Sequence, residues 1–140
     1  MKLKNILEEN AEQLYALMRI VIGILFFSHG FQKIDRMLQG TFPMDNILMV
    51  LAAIIEFIGG LAIIFGWKVF LFAFIASGEM AIGYFKSHQP KGFWPIDNGG
   101  EKAVFYCFLF LFIAAKGSGI WSLDNIFKKK YNGNKFKEYK

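Results

Sequence analysis

Residues 47–85 read ILMVLAAIIEFIGGLAIIFGWKVFLFAFIASGEMAIGYF, and Glu56, Lys68 and Glu79 are the only Asp, Glu, Lys or Arg among them. An ordinary amphipathic helix carries a charged face that recurs every turn, and this stretch has none. It divides at Gly66-Trp67-Lys68 into two apolar runs, 47–66 and 69–85, each near the roughly 20 residues a helix needs to cross a bilayer core. Two more runs of the same character, about 14–31 and 103–121, lie on either side. The fold class expected is therefore all-α: an integral membrane four-helix bundle, one domain over 1–140, with a basic cytoplasmic tail at 122–140.

Composition supports the same reading. The chain is 55% hydrophobic and 19% charged, against about 45–50% and about 25% in soluble domains. With 18% aromatic residues it is not a disordered chain, and so much apolar sequence is hard to hide inside a small soluble bundle. The shorter runs rely on their flanks, where Lys86, Lys102 and Lys116 can snorkel and Trp67, Tyr84, Phe85 and Trp121 suit the headgroup belt. Residues 1–13 form an amphipathic lead-in with Leu3, Ile6, Leu7 and Leu14 on one side. Glu8, Glu9 and Glu12 ahead of the first run argue against a cleaved signal peptide.

The net charge of +5 does not point to nucleic acid, because the lysines sit beside apolar spans, where anionic lipid headgroups are the natural counter-charge. In a four-span topology eleven Lys and Arg fall on the side of the two termini and five on the other. The positive-inside rule then puts both termini in the cytoplasm. The single cysteine, Cys107, excludes an internal disulfide, CxxC redox chemistry and Cys-ligated clusters.

Ionisable groups inside the spans are costly and mark functional candidates. They are Arg19, His29, Glu56 and Glu79. On the first helix Arg19, Gly23, Phe26, Gly30 and Lys33 share a face, with His29 at its edge; Ala52, Ala53, Glu56, Gly60 and Ile63 form a stripe on the second, and Phe72, Ala76, Glu79 and Gly83 on the third. Small residues on those faces let backbones approach. Glu56 falls near mid-membrane, and Glu79, His29 and Lys33 lie toward the outer side, placed to line a polar cavity open to that face, with Arg19 reaching up toward Glu56. A protonated carboxyl there can donate to the carbonyl of a quinone-like head. The competing reading is that the charges pair only to fasten helices. Two histidines at unconnected positions, His29 and His88, do not make a metal set, and no metal is expected.

The loop HQPKGFWPIDNGGE, 88–101, carries two prolines and three glycines and cannot be regular helix. Phe93 and Trp94 belong in the interface, capping the bundle. Asn98 is expected as the N-cap of the fourth helix and Glu101 as its capping-box partner.

Four pieces in order, His29-Gly30 with Lys33, Glu56 with Gly59-Gly60, Gly92-Phe93-Trp94-Pro95 with Asn98-Gly99-Gly100-Glu101, and Gly117-x-Gly119-x-Trp121-Ser122-x-Asp124, resemble the DoxX family of small four-helix bacterial membrane proteins. The resemblance runs from about Leu17 to Asp124. It implies a bacterial inner-membrane protein and a redox-associated subunit, linked in some members to thiosulfate-to-quinone electron transfer and in others to thiol and oxidative-stress systems. The ligand-binding residues expected are Arg19, His29, Lys33, Glu56, Glu79, His88 and Trp94, for a quinone-like or other small polar ligand; the cofactor is left open, a quinone being one candidate, and the partners are the bilayer and other redox proteins, with a homo-oligomer also open. The alternative function is a non-enzymatic scaffold or assembly factor for membrane proteins.

Overall fold

The computed structural model describes residues 2–138, with side chains through Lys130, so the end of the basic tail lies outside the described side chains. Every regular element in the described residues is helical: α1 (Lys2–Glu9), α2 (Ala11–Leu38), α3 (Ile47–Phe65), α4 (Val69–Ser87), a short 3-10 turn (Gln89–Lys91), α5 (Glu101–Lys116) and α6 (Leu123–Glu138). Three are long and apolar enough to cross a membrane: Ala11–Leu38, Ile47–Phe65 and, with the turn that follows α4, Val69–Lys91. The fourth apolar helix, α5, has 16 residues and rises about 24 Å, less than the roughly 30 Å of a hydrocarbon core. The expected span to 121 stops at Lys116 because the chain turns left-handed at Gly117 (φ 83°) and again at Gly119 and Trp121.

The bundle consists of two helix pairs, α2 with α3 and α4 with α5. They share one core of Ile22, Phe26, Ile63, Ala73, Phe110 and Ile113, in which the Phe26 and Phe110 rings meet edge to face at 4.6 Å. The opposite faces, with Leu25 on α2, Phe70 and Phe74 on α4 and Phe105 and Phe108 on α5, are exposed. In water such a surface would drive aggregation; in a bilayer it is the lipid belt.

Glycine sets the approach of α2 to α3. A Cβ on Gly30 would fall 2.3 Å from the Phe57 nitrogen and 2.7 Å from the Glu56 carbonyl carbon, so any side chain forces the helices apart. Gly30→Ala is accordingly expected to lower stability by about 1–3 kcal/mol, the usual cost of overpacking, measured as a fall in melting temperature in detergent. A wild-type melt would contradict this packing.

The end of the bundle at which α2 begins and α5 ends is held by a polar clasp. Arg19 is fully buried. Its Nη1 donates to the carbonyls of Ile63 and Ile64, the latter at 2.9 Å, and its Nη2 to those of Trp121 at 2.8 Å and Ile120 at 3.5 Å. The cation thereby satisfies carbonyls at the C-terminal end of α3, where the helix dipole favours positive charge. Gly66, left-handed at φ 71°, ends α3 and lies so close to Ser122 that a Cβ would sit 2.3 Å from that residue's own. Asp124 accepts from the free amides of Lys68 (2.8 Å) and Val69 (3.1 Å) at the start of α4. Tyr15 donates to the Gly117 carbonyl at 2.5 Å, and Lys116 pairs with Glu12 at 2.6 Å. The run from Gly117 to Asp124 thus ties the α3–α4 turn to α2.

At the other end, Asn98 is not the N-cap of α5; Gly100 is. The Asn98 side chain, buried, accepts from Gly100 N at 2.8 Å and donates to Gly92 O at 2.8 Å and Tyr84 Oη at 3.3 Å. It closes the 92–100 loop on itself, and Glu101 is left exposed.

Candidate functional site

α3 is not a uniform α-helix. Residues Ile55–Gly59 form a π-helical turn between α-helical halves Ile47–Ile54 and Gly60–Phe65. Such turns widen the helix by one residue and recur at functional sites. Glu56 lies in this turn, with its side chain only 6% exposed. Because Gly30 brings α2 into contact with the same turn, Lys33, one turn further along α2, lands on Glu56: its Nζ donates to Glu56 Oε1 at 2.7 Å. The other carboxylate oxygen, Oε2, is buried and has no hydrogen-bond partner among the described residues, and Glu79 Oε2 on α4 is in the same state.

Both glutamates border a cavity of about 760 Å³ between α3 and α4. It exists because the two helices converge at the Gly66–Lys68 turn and diverge from there. The π turn touches α4, whereas the first half of α3 packs on α2 and stands off. The floor carries Lys33, Glu56 and Glu79, and the walls are apolar, with Leu51, Ile55, Ile75 and Met80 among them. Lys86, Ser87 and His88 form a polar rim. His88 is held there by donation from Nδ1 to the Asn98 carbonyl at 3.2 Å and by stacking on Tyr84. The arrangement suits a ligand that brings hydrogen-bond donors to two carboxyl oxygens and an apolar body to the walls.

Of the seven residues expected to bind ligand, Lys33, Glu56, Glu79 and His88 come together here. Arg19 does not reach Glu56; its guanidinium is spent on backbone carbonyls at the opposite end. His29 is exposed on the side of α5, edge-on to Tyr106 with ring centroids 6.5 Å apart. Trp94 stands 63% exposed beside Phe93 on the loop. Gly83, expected on a face where backbones approach, lines the cavity instead, as does Gly78, which the sequence did not single out; a Cβ on either would meet nothing within 4 Å. Among the described residues no group of three or more His, Cys, Asp and Glu comes together as a metal set.

Comparison with known proteins gives relatives along nearly the whole chain. An uncharacterised protein of Haemophilus influenzae is 38% identical over 133 residues, covering 90% of this chain and 99% of that one. A Bacillus subtilis protein named "Putative oxidoreductase CatD" is 30% identical over 128 residues, covering 84% of this chain and 90% of that one. No solved structure matches. The DoxX family model matches residues 14–89, which include the Lys33–Glu56 pair and Glu79, and the chain belongs to the DoxX family.

Proposed function

We propose that this membrane protein is a redox-associated subunit that holds a small ligand with a quinone-like head in the cleft between α3 and α4. The observation that carries the reading is the state of Glu56. One of its oxygens is fixed by Lys33, and the other is buried without a partner among the described residues, at the edge of a cavity large enough for a ligand. A buried polar atom left unsatisfied costs about 1–3 kcal/mol, so a donor arriving there is bound with more than contact energy. The oxidoreductase name of the Bacillus subtilis relative favours a head group that takes part in redox chemistry. With one cysteine and no dithiol of its own, the chain works beside partner redox proteins. Its lysine asymmetry favours an orientation with both termini in the cytoplasm and the polar rim outside, in a bacterial inner membrane.

Protein purified in mild detergent and extracted with organic solvent should yield a quinone or its reduced quinol by absorbance, and the emptied protein should bind the quinol, whose hydroxyls donate, on anaerobic titration. Glu79→Gln is the informative variant, because Glu79 makes no hydrogen bond or ion pair with the described residues and its loss breaks no fastening. It should melt like the wild type and bind at least tenfold more weakly. Protein that carries no quinone and takes none up would overturn the cofactor assignment.

A further inference from the structure

The cavity is polar at its floor and at its rim, and apolar along the side between α3 and α4. Its lip on α4 is the row Ile75, Gly78 and Ile82, spaced three and four residues apart, and its lip on α3 is Leu48 and Leu51; all five are exposed and all five line the cavity. The next row inward carries Glu79 and Gly83 on α4 and Ala52 and Glu56 on α3. These lips belong to two helices that are membrane spans by length and composition, so the opening between them faces lipid chains and not water. Gly78 sits in the middle of the α4 lip with open space where a side chain would be.

We infer that the cleft is a lateral portal, and that its ligand is an amphiphile drawn from the bilayer: a head bearing hydroxyl or comparable donors docks on Glu56 and Glu79, and an apolar chain leaves between Leu51 and the Ile75–Ile82 row into the lipid. This rests on the ligand site proposed above and adds its ligand class and its route. The floor sets the polarity of the head. Glu56 is already paired with a cation, so its free oxygen accepts, and the head must donate. The lips set the tail, since an aqueous solute would gain nothing from Leu48, Leu51, Ile75 and Ile82, whereas a chain crossing them exchanges lipid contacts for protein contacts. A head without a tail still has a way in past Lys86, Ser87 and His88.

Two probes separate these elements: a benzoquinol with a decyl tail and tailless tetramethylbenzoquinol, titrated anaerobically onto the protein in nanodiscs. The wild type should bind both, the tailed probe more tightly. Gly78→Leu adds a side chain at the opening whose Cβ meets nothing within 4 Å, and it should weaken the tailed probe at least tenfold while leaving the tailless one within twofold. To keep folding out of the comparison, Gly78→Cys in a Cys107→Ala background can be folded first and then alkylated with N-ethylmaleimide, and the same tenfold loss should appear on alkylation. An unchanged affinity for the tailed probe in both blocked forms would overturn the portal, as would an equal loss for both probes. If neither probe binds the wild type, the ligand site itself falls and the portal with it.

Discussion

Arg19→Leu is expected to yield little folded protein, the largest single-residue effect in the chain. The substitution leaves the carbonyls of Ile64 and Trp121 without their donor, and leaves that of Ile63 with only Gly66 N at 3.3 Å, in a position that is fully buried. At about 1–3 kcal/mol for each unsatisfied buried group, the loss is comparable with the whole stability of a small domain, about 5–15 kcal/mol. Arg19→Lys should be intermediate, because an ammonium keeps the charge but lacks the planar fork that spans α3 and the 117–122 segment at once. Size-exclusion profiles after a heating series in detergent would rank the three proteins. Arg19→Lys protein that stays folded should bind ligand as the wild type does, since Arg19 is no part of the cleft. A wild-type melting profile for Arg19→Leu would show that the clasp holds nothing.

Lys33→Met is the second large effect, and it acts through its partner. Removing the ammonium strands Glu56, 6% exposed, with neither oxygen bonded. Breaking a buried pair from one side typically costs about 3–5 kcal/mol, and the 25% exposure of the Lys33 side chain puts the expected loss toward the lower end. The double variant Lys33→Met/Glu56→Met removes the stranded charge as well and should recover most of that loss, because a well-packed apolar pair often matches a buried ionic one. The cycle should therefore give a coupling well above the roughly 0.6 kcal/mol average of interhelical hydrogen bonds in membranes. Additive losses would mean the two side chains do not depend on each other. The double variant should also be unable to hold the ligand head even where it is stable, which separates fastening from binding.

Helix positions were largely legible in the sequence, because uninterrupted apolar runs have few alternatives to crossing a bilayer. The face of α2 was legible too: Arg19, Gly23, Phe26 and Gly30 are all buried along it, as three-four spacing requires. Less was legible where an element departs from its period. The π turn at Ile55–Gly59, in which Glu56 meets Lys33, has no periodic signature. The role of Arg19 was read only in part. Its burial followed from the span, but its partners are backbone carbonyls from residues far along the chain, which a search for opposite charges does not find. Asn98 shows the same limit, since a capping motif in sequence became a loop-closing side chain once Tyr84 and Gly92 were brought beside it. The glycines divide by context alone: Gly30 meets a helix backbone and Gly78 meets nothing, and no local pattern distinguishes them.

The central claim is that the buried carboxyl oxygens of the α3–α4 cleft are reserved for a ligand. A structure of the protein purified with its native lipids, solved in a lipidic mesophase or in nanodiscs at a resolution that shows side chains, tests it most directly. The account predicts a bound molecule with its head within hydrogen-bond distance of Glu56 Oε2 and Glu79, and its chain passing between Leu51 and Ile82. A cleft closed by α3 moving onto α4, with those two oxygens bonded to groups of the protein itself, would contradict it.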